Sequence, residues 1–307
     1  MAALWRPNHA NKKANAESRP MGPRETHGAP VIGGVVCILM STSPSTSYRV
    51  EAFNLSHASE NKIHDDTVAQ KLGFAGGLVP GVEVYAYACH PAVQRWGRAW
   101  LERGQMQCRF LKPVYDGRIA LVSAAESAAG LDLEVHSEGV LCATGHASLG
   151  DGSARPPSID EFEPRTPPPP SERPPASQSS LAEGTWLGIA PMQMTAEYAA
   201  GYLRDVRETD TLYTRECLAH PGALLRLCNL ALRENVVLPP WIHTGSKVAN
   251  FAAARIGDEL SVRARVAANY ERKGHRLVDL DALVIANGRT VIGRVLHTAV
   301  YQLRQLA

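Results

Sequence analysis

The stretch Pro80–Phe110, PGVEVYAYACHPAVQRWGRAWLERGQMQCRF, returns in outline as Pro221–Phe251, PGALLRLCNLALRENVVLPPWIHTGSKVANF. Pro80, Gly81, Trp100, Gly104 and Phe110 each recur 141 positions later, as Pro221, Gly222, Trp241, Gly245 and Phe251. One offset shared by five residues, among them the rare Trp, marks two copies of one structural unit. In each copy an apolar run of helical length follows the Pro-Gly pair, and strand-like segments follow the helix.

Copy one reads outward from that helix over residues 46–150. Tyr48–Leu55 has strand character. Asp65 or Asp66 caps a short helix that runs through Leu72 and closes at Gly73. A loop with Gly76, Gly77, Pro80 and Gly81 leads into an apolar helix from Val82 to Leu101. Pro91 lacks an N–H and clashes with the turn before it, so it is expected to kink or divide that helix, with His90 capping the second segment. Strand-like runs follow at 105–114, 118–127, 131–137 and 139–149, separated by the Asp116-Gly117 turn and by Gly130.

Copy two spans 185–307 and repeats this order. Its helix, Gly222 to about Asn235, is apolar on most faces and is expected to be buried. Strand-like runs follow at 246–255, 259–269, 275–285 and 289–303. Val262, Ala264 and Val266 alternate with Arg263 and Arg265, the period-two pattern of a sheet with one wet face. An apolar helix followed by an antiparallel meander, twice over, has a simple physical solution of the α+β class. Each sheet curls around its own helix, and the two sheets pair edge to edge, hiding strand edges that would otherwise template aggregation.

The 307 residues suffice for two domains, and 45 % hydrophobic residues suit packed cores. A net charge of +2 implies neither a nucleic-acid field nor a polybasic membrane surface. The six cysteines are scattered without a Cys-x-x-Cys pair, which points to buried free thiols and a reducing, cytoplasmic setting. The apolar run Val31–Met40 is too short to span a bilayer and no small-residue cleavage pattern follows it. Residues 1–45 read as a disordered upstream extension, with Met40 an alternative start. Residues 151–184, which include RPPSIDEFEPRTPPPPSERPP, read as an extended Pro-rich linker that does not pack a core.

Chemistry concentrates in copy one. After the first strand comes Ser56-His57-Ala58-Ser59-Glu60-Asn61-Lys62-Ile63-His64-Asp65-Asp66, then Leu72-Gly73-Phe74 and Gly76-Gly77-Leu78-Val79-Pro80-Gly81, and later Arg109-Phe110-Leu111-Lys112-Pro113-Val114-Tyr115-Asp116-Gly117. The glycines of the second segment let the backbone approach a ligand, and the helix N-terminus beyond presents unpaired N–H groups and a positive dipole end. Aimed at a thioester carbonyl, such donors stabilise an enolate oxyanion. A plain tight turn is the alternative reading of the loop. No nucleophile elbow, phosphate-binding loop or His-Glu-x-x-His is present, and the histidines are too dispersed for zinc. Trp96 and Trp100, four apart on the helix, read as core.

The order of these segments resembles the MaoC-like (R)-specific enoyl-CoA hydratases and dehydratases, whose architecture is the double hotdog when two units lie in one chain. Asn61, Ile63 and His64 fall on positions of the family's signature, as do Gly73-Phe74 and the Phe110–Gly117 run. Two positions depart from it: Ser59 stands where the family carries its catalytic Asp, and Lys62 where it carries Pro. The resemblance implies a fatty-acid or polyketide-type acyl thioester as substrate, on CoA or an acyl carrier, with no metal or redox cofactor and with homodimers of double-hotdog chains a possible assembly. It implies His64 as the acid–base residue and Asn61 as a positioning group. Asn61 reads equally well as a loop cap. Glu60 and Asp65 are the carboxylates available to replace the missing Asp. The substrate-contacting set would be Ser59, Gly76, Gly77, Val79 and Gly81.

Glu83, in the first turn of the copy-one helix, complements the helix dipole. Its placement is also similar to the helix-borne carboxylate of hotdog acyl-CoA thioesterases, which makes hydrolysis the second expectation. The third is an acyl-thioester-binding protein without turnover. Copy two carries Tyr202 and Asp205 where copy one has Asn61 and His64, so its site is expected to be degenerate. Asp205 and Asp210 are candidates to reach across to His64, and His220 is expected to be structural.

Overall fold

The computed structural model describes residues 46–304. The expected upstream extension, with Val31–Met40 and Cys37, lies outside the described residues.

Copy one consists of β1 (Thr46–Glu51), α1 (Asp66–Lys71), α2 (Gly81–Trp96), α3 (Arg98–Arg103), β2 (Gly104–Phe110), β3 (Ile119–Ser127), β4 (Gly130–Ser137) and β5 (Val140–Leu149). Copy two consists of β6 (Trp186–Gly188), β7 (Met192–Gln193), α4 (Ala196–Asp205), α5 (Leu212–Arg215), α6 (Pro221–Arg233), β8 (Ile242–Asn250), β9 (Glu259–Arg272), β10 (His275–Ala286) and β11 (Thr290–Gln302). The strands form one 11-stranded sheet in the order β1-β3-β4-β5-β2-β8-β11-β10-β9-β6, with β7 beside β9. Each half reads as the mirror of the other in this list, because β2 and β8 pair antiparallel at the centre.

The antiparallel pairing of β2 with β8 is compatible with the sequence repeat. Met106 pairs with Val248 and Gln107 with Lys247. Under the 141-residue offset Met106 corresponds to Lys247 and Gln107 to Val248, so the strand pair maps onto itself about a pseudo-twofold axis. Asn250 Nδ2 donates to the carbonyl of Trp100 (3.0 Å) and ties the halves again beside the seam. One continuous hydrophobic core runs beneath both halves, with α2 and α6 packed against each other inside the curled sheet.

Two expectations change. First, α2 is not divided at Pro91. Every residue from Val82 to Val93 is buried, with α6 and strands of the sheet packed around the helix. That packing outweighs a local penalty of about 3 kcal/mol. The break falls at Gly97, whose φ of 56° and ψ of −143° only glycine adopts freely. His90 caps nothing: it is buried, stacked on Tyr48 at 3.8 Å, with Nδ1 2.8 Å from Glu208 Oε1.

Second, the Pro-rich segment does not run free of the core. Phe162 is buried against Leu283, Ile285 and Val291 on the outer side of the sheet, and Leu181 is buried in the main core. An extended Pro-rich chain leaves its carbonyls unpaired, and Arg263, from the wet face of β9, donates to the carbonyls of Ile159 (3.2 Å) and Phe162 (2.9 Å). The same face holds Trp186, which meets Phe162 edge-on and Arg265 over its ring. Of the described cysteines, Cys89, Cys108, Cys142 and Cys228 are buried free thiols and Cys217 is exposed. Among the described residues no helix is long and apolar enough to cross a membrane.

Candidate functional site

The loop between β1 and α2 is held by side chains that read directly from its sequence. Asn61 caps a single 3-10 turn, Lys62–His64, and Asp65 caps α1 by accepting from the Val68 N–H at 3.0 Å. Asp66 Oδ1 accepts from the Gly77 N–H at 2.7 Å, folding the glycine loop back onto the turn. A Cβ on Gly77 would lie 2.3 Å from the His64 carbonyl oxygen, so only glycine fits there. Gly77→Ala is therefore expected to push the His64 turn outward. The expected cost is about 1–3 kcal/mol, read as a lower melting temperature, together with reduced turnover of any thioester substrate.

His64 is buried, and its Nδ1 lies 2.6 Å from the carbonyl oxygen of Leu78. A carbonyl only accepts, so the proton sits on Nδ1 and Nε2 carries the lone pair. Asn61 Nδ2 donates towards that Nε2 at 3.3 Å. Burial pushes the imidazole pKa down to about 4, against a smaller opposing effect of the Leu78 hydrogen bond, with Arg226 and His57 lowering it further. His64 is thus a neutral base across the physiological range.

Copy two supplies the other wall. Asn61 Nδ2 donates to the Trp241 carbonyl at 2.9 Å and Asn61 Oδ1 accepts from the Trp241 N–H at 3.2 Å, an amide-to-peptide clasp across the pseudo-twofold. Beside it lies a cavity of about 220 Å³ lined by Ser56, Ser59, Asn61, His64, Pro80 and Val82 from copy one. Arg226, Leu227, Asn229, Leu230 and Arg233 of α6, with Met192, Tyr198 and Trp241, line it from copy two. A smaller chamber of about 30 Å³ shares Asn61, His64, Pro80, Asn229 and Trp241 and adds Val79, Gly81 and His243. His243 Nδ1 and Asn229 Oδ1 are buried there without a hydrogen-bond partner.

The N-termini of the two central helices differ. Pro80 provides no side-chain cap to α2, and of its first turn Val82 lines the large chamber and Gly81 the small one. At α6, Pro221 has no N–H and the Gly222 N–H is taken by His220 Nδ1 at 3.0 Å. Tyr202 closes the approach, since a Cβ on Gly222 would meet its hydroxyl at 2.2 Å. His220 Nε2 in turn lies 3.3 Å from Glu208 Oε2. Burial opposes ionisation of Glu208, but hydrogen bonds to His220 and His90 hold its carboxyl well below the usual range. Copy two has therefore filled its own helix terminus.

The carboxylates offered by the sequence lie elsewhere. Glu60 is exposed, with Arg173 of the linker 3.8 Å away. Asp65 is committed to capping α1. Glu83 is fully buried and ion-paired to Arg226, an interaction that links α2 to α6. Desolvation by burial raises its pKa against the opposing pull of that guanidinium. Glu83 is not among the residues lining either chamber. Asp210 accepts from Gln94 Nε2 and the Leu212 N–H, and Asp205 pairs with Arg204. Among the described residues no Asp or Glu lines either chamber.

Of the expected contact residues, Ser59 lines the large chamber and Val79 and Gly81 the small one; Gly76 and Gly77 only shape the loop. Ser59 Oγ donates back to the Asn61 carbonyl at 3.2 Å and holds the loop in place of a carboxylate. The α6 residues escaped sequence reading. Their signal was present: Arg226, Asn229 and Arg233, at i, i+3 and i+7, form the one polar stripe on an otherwise apolar helix.

A single antiparallel sheet curled around two central helices, with a loop-borne histidine beside one of them, defines the double-hotdog class. No family model matches the chain, and no curated protein matches it. Solved structures do. A double-hotdog protein of Mycobacterium tuberculosis aligns with a TM-score of 0.59 at 13 % identity, over 85 % of this chain and 96 % of that one. A protein of Chloroflexus aurantiacus J-10-fl described as a MaoC domain dehydratase aligns with a TM-score of 0.56 at 9 % identity, over 86 % and 96 %. A MaoC-like dehydratase aligns with a TM-score of 0.51 at 12 % identity, over 83 % and 98 %. The chain thus has the double-hotdog fold found in MaoC-like dehydratases.

Proposed function

We propose that the chain hydrates a 2-enoyl thioester, or runs the reverse dehydration of a 3-hydroxyacyl thioester, with the acyl group carried on CoA or an acyl carrier. The observation that carries this reading is a neutral His64 whose Nε2 bears no proton and lies 3.3 Å from Asn61 Nδ2, with both residues lining both chambers beside the N-terminus of α2, which no side chain caps. The thioester carbonyl oxygen accepts from the Gly81 and Val82 N–H groups. A water in the small chamber, which has room for about one or two, replaces the long Asn61 contact at Nε2, Asn61 keeping its bond to the Trp241 carbonyl, and gives a proton to Nε2 while its oxygen bonds to C3. The π electrons move onto the thioester as an enolate, whose charge the helix terminus stabilises. The imidazolium then returns the proton to C2 on the same face. One imidazole serves as base and then as acid, so no carboxylate is required. The reaction balances without a metal or a redox group.

The test is the purified chain against a panel of enoyl-CoA and saturated acyl-CoA esters, following loss of enoyl absorbance and release of free thiol. Enoyl consumption without thiol release is expected. Thiol release alone would overturn the reading in favour of hydrolysis, and saturable binding with neither signal would leave an acyl-binding protein.

A further inference from the structure

The large chamber has an unbalanced charge. Two arginines of α6, Arg226 and Arg233, line it, and among the described residues no carboxylate does. Arg226 is neutralised from behind by the buried Glu83. Arg233 makes no ion pair among the described residues, and the neighbouring Glu234 turns away to accept from the Ala190 N–H at 2.8 Å. Tyr198 and Asn229 add polar groups to the same wall, Asn229 with its buried Oδ1 unpartnered. A half-buried guanidinium beside a cavity loses hydration unless an anion enters, and its fork of donors matches a carboxylate. A plain alkyl chain leaves that donor unpaired.

We infer that the site selects a short acyl thioester whose far end bears a carboxylate, with Arg233 as the residue that reads it. The inference rests on the thioester reading above and names its substrate class. The exposed segment His57–Ala58 and Glu60, next to the lining residues Ser56 and Ser59, gives the carrier arm its way to solvent. That leaves the α6 wall to the acyl group. A phosphate of the carrier is the other anion that Arg233 has the chemistry to bind, so the experiment separates the two.

Binding of unreactive saturated thioesters is measured by calorimetry on the full chain, with succinyl- and glutaryl-CoA against butyryl- and valeryl-CoA. The charged-tail esters are expected to bind at least about 10-fold more tightly, with a preference that shrinks as salt rises. Arg233→Gln is expected to lower the succinyl-to-butyryl affinity ratio by roughly 10- to 100-fold. Arg233→Lys, which keeps the charge but loses the fork of donors, is expected to fall between wild type and Arg233→Gln and guards against a folding artefact. The same pairs are then measured as pantetheine thioesters, which lack the nucleotide phosphates. Survival of the charged-tail preference supports the inference. An Arg233→Gln effect that is equal for both tails and vanishes with pantetheine assigns Arg233 to the carrier and overturns it. Equal or reversed tail preference in the wild type also overturns it while leaving the hydratase reading intact. Binding of no thioester at all sinks both.

Discussion

His64→Ala is expected to lower kcat/KM for enoyl-thioester hydration by roughly 10²- to 10⁴-fold, the range for loss of a positioned general base. Among the described residues His64 is the single ionisable side chain that copy one contributes to either chamber, and no carboxylate lines them. The variant also strips the buried Leu78 carbonyl of its partner, at a cost of about 1–3 kcal/mol, so circular dichroism and a melting curve accompany the kinetics. The pH profile supplies an independent signature. The base must be neutral, and burial has moved its pKa from 6.5 down to about 4. Activity governed by His64 therefore stays level as pH falls through 6.5, and kcat/KM drops about tenfold per unit only below about 4. A profile that breaks near 6.5, or a His64→Ala enzyme with unchanged kcat/KM, would remove His64 from the mechanism.

Glu83→Gln has the second large expected effect, and it falls on stability. The carboxylate is fully buried and the Arg226 side chain is 27 % exposed, so removing the negative charge leaves a cation largely out of water without its partner. Breaking such a pair costs about 3–5 kcal/mol, a fall of roughly 10 °C in melting temperature for a chain of this size. The pair joins the central helices of the two copies, so the loss is global. The double variant Glu83→Leu with Arg226→Leu removes both charges and is expected to recover most of the deficit, since an apolar pair of similar volume avoids the desolvation cost. If Glu83→Gln instead melts like the wild type and loses thiol release from acyl-CoA, Glu83 is a catalytic base and the hydratase reading is wrong.

How much of this was legible can be judged residue by residue. The 141-residue offset gave two units, and the edge-to-edge pairing expected of them is the antiparallel pair β2–β8. Capping by Asp65, closure at Gly73 and the alternation along β9 all followed from local rules. Pro91 does not divide the helix because propensity ignores what surrounds it, and here α6 and the sheet pack around α2 and keep it continuous past the proline. The linker departs from expectation because its composition hides one aromatic, Phe162, that packs on Leu283, Ile285 and Val291 at the outer side of the copy-two sheet.

The chain order alone determined the duplication, the fold class and the place of His64, because periodicity, turn chemistry and motif spacing are local properties written along the backbone. Tertiary structure decided which groups meet. It withdrew Glu60, Asp65 and Glu83 into a surface contact, a helix cap and a buried ion pair, and it brought Arg226, Asn229 and Arg233 to face His64 from a helix more than 150 residues away. Juxtaposition across a pseudo-twofold depends on how two sheets pair and two helices pack. No pattern within either copy encodes that geometry.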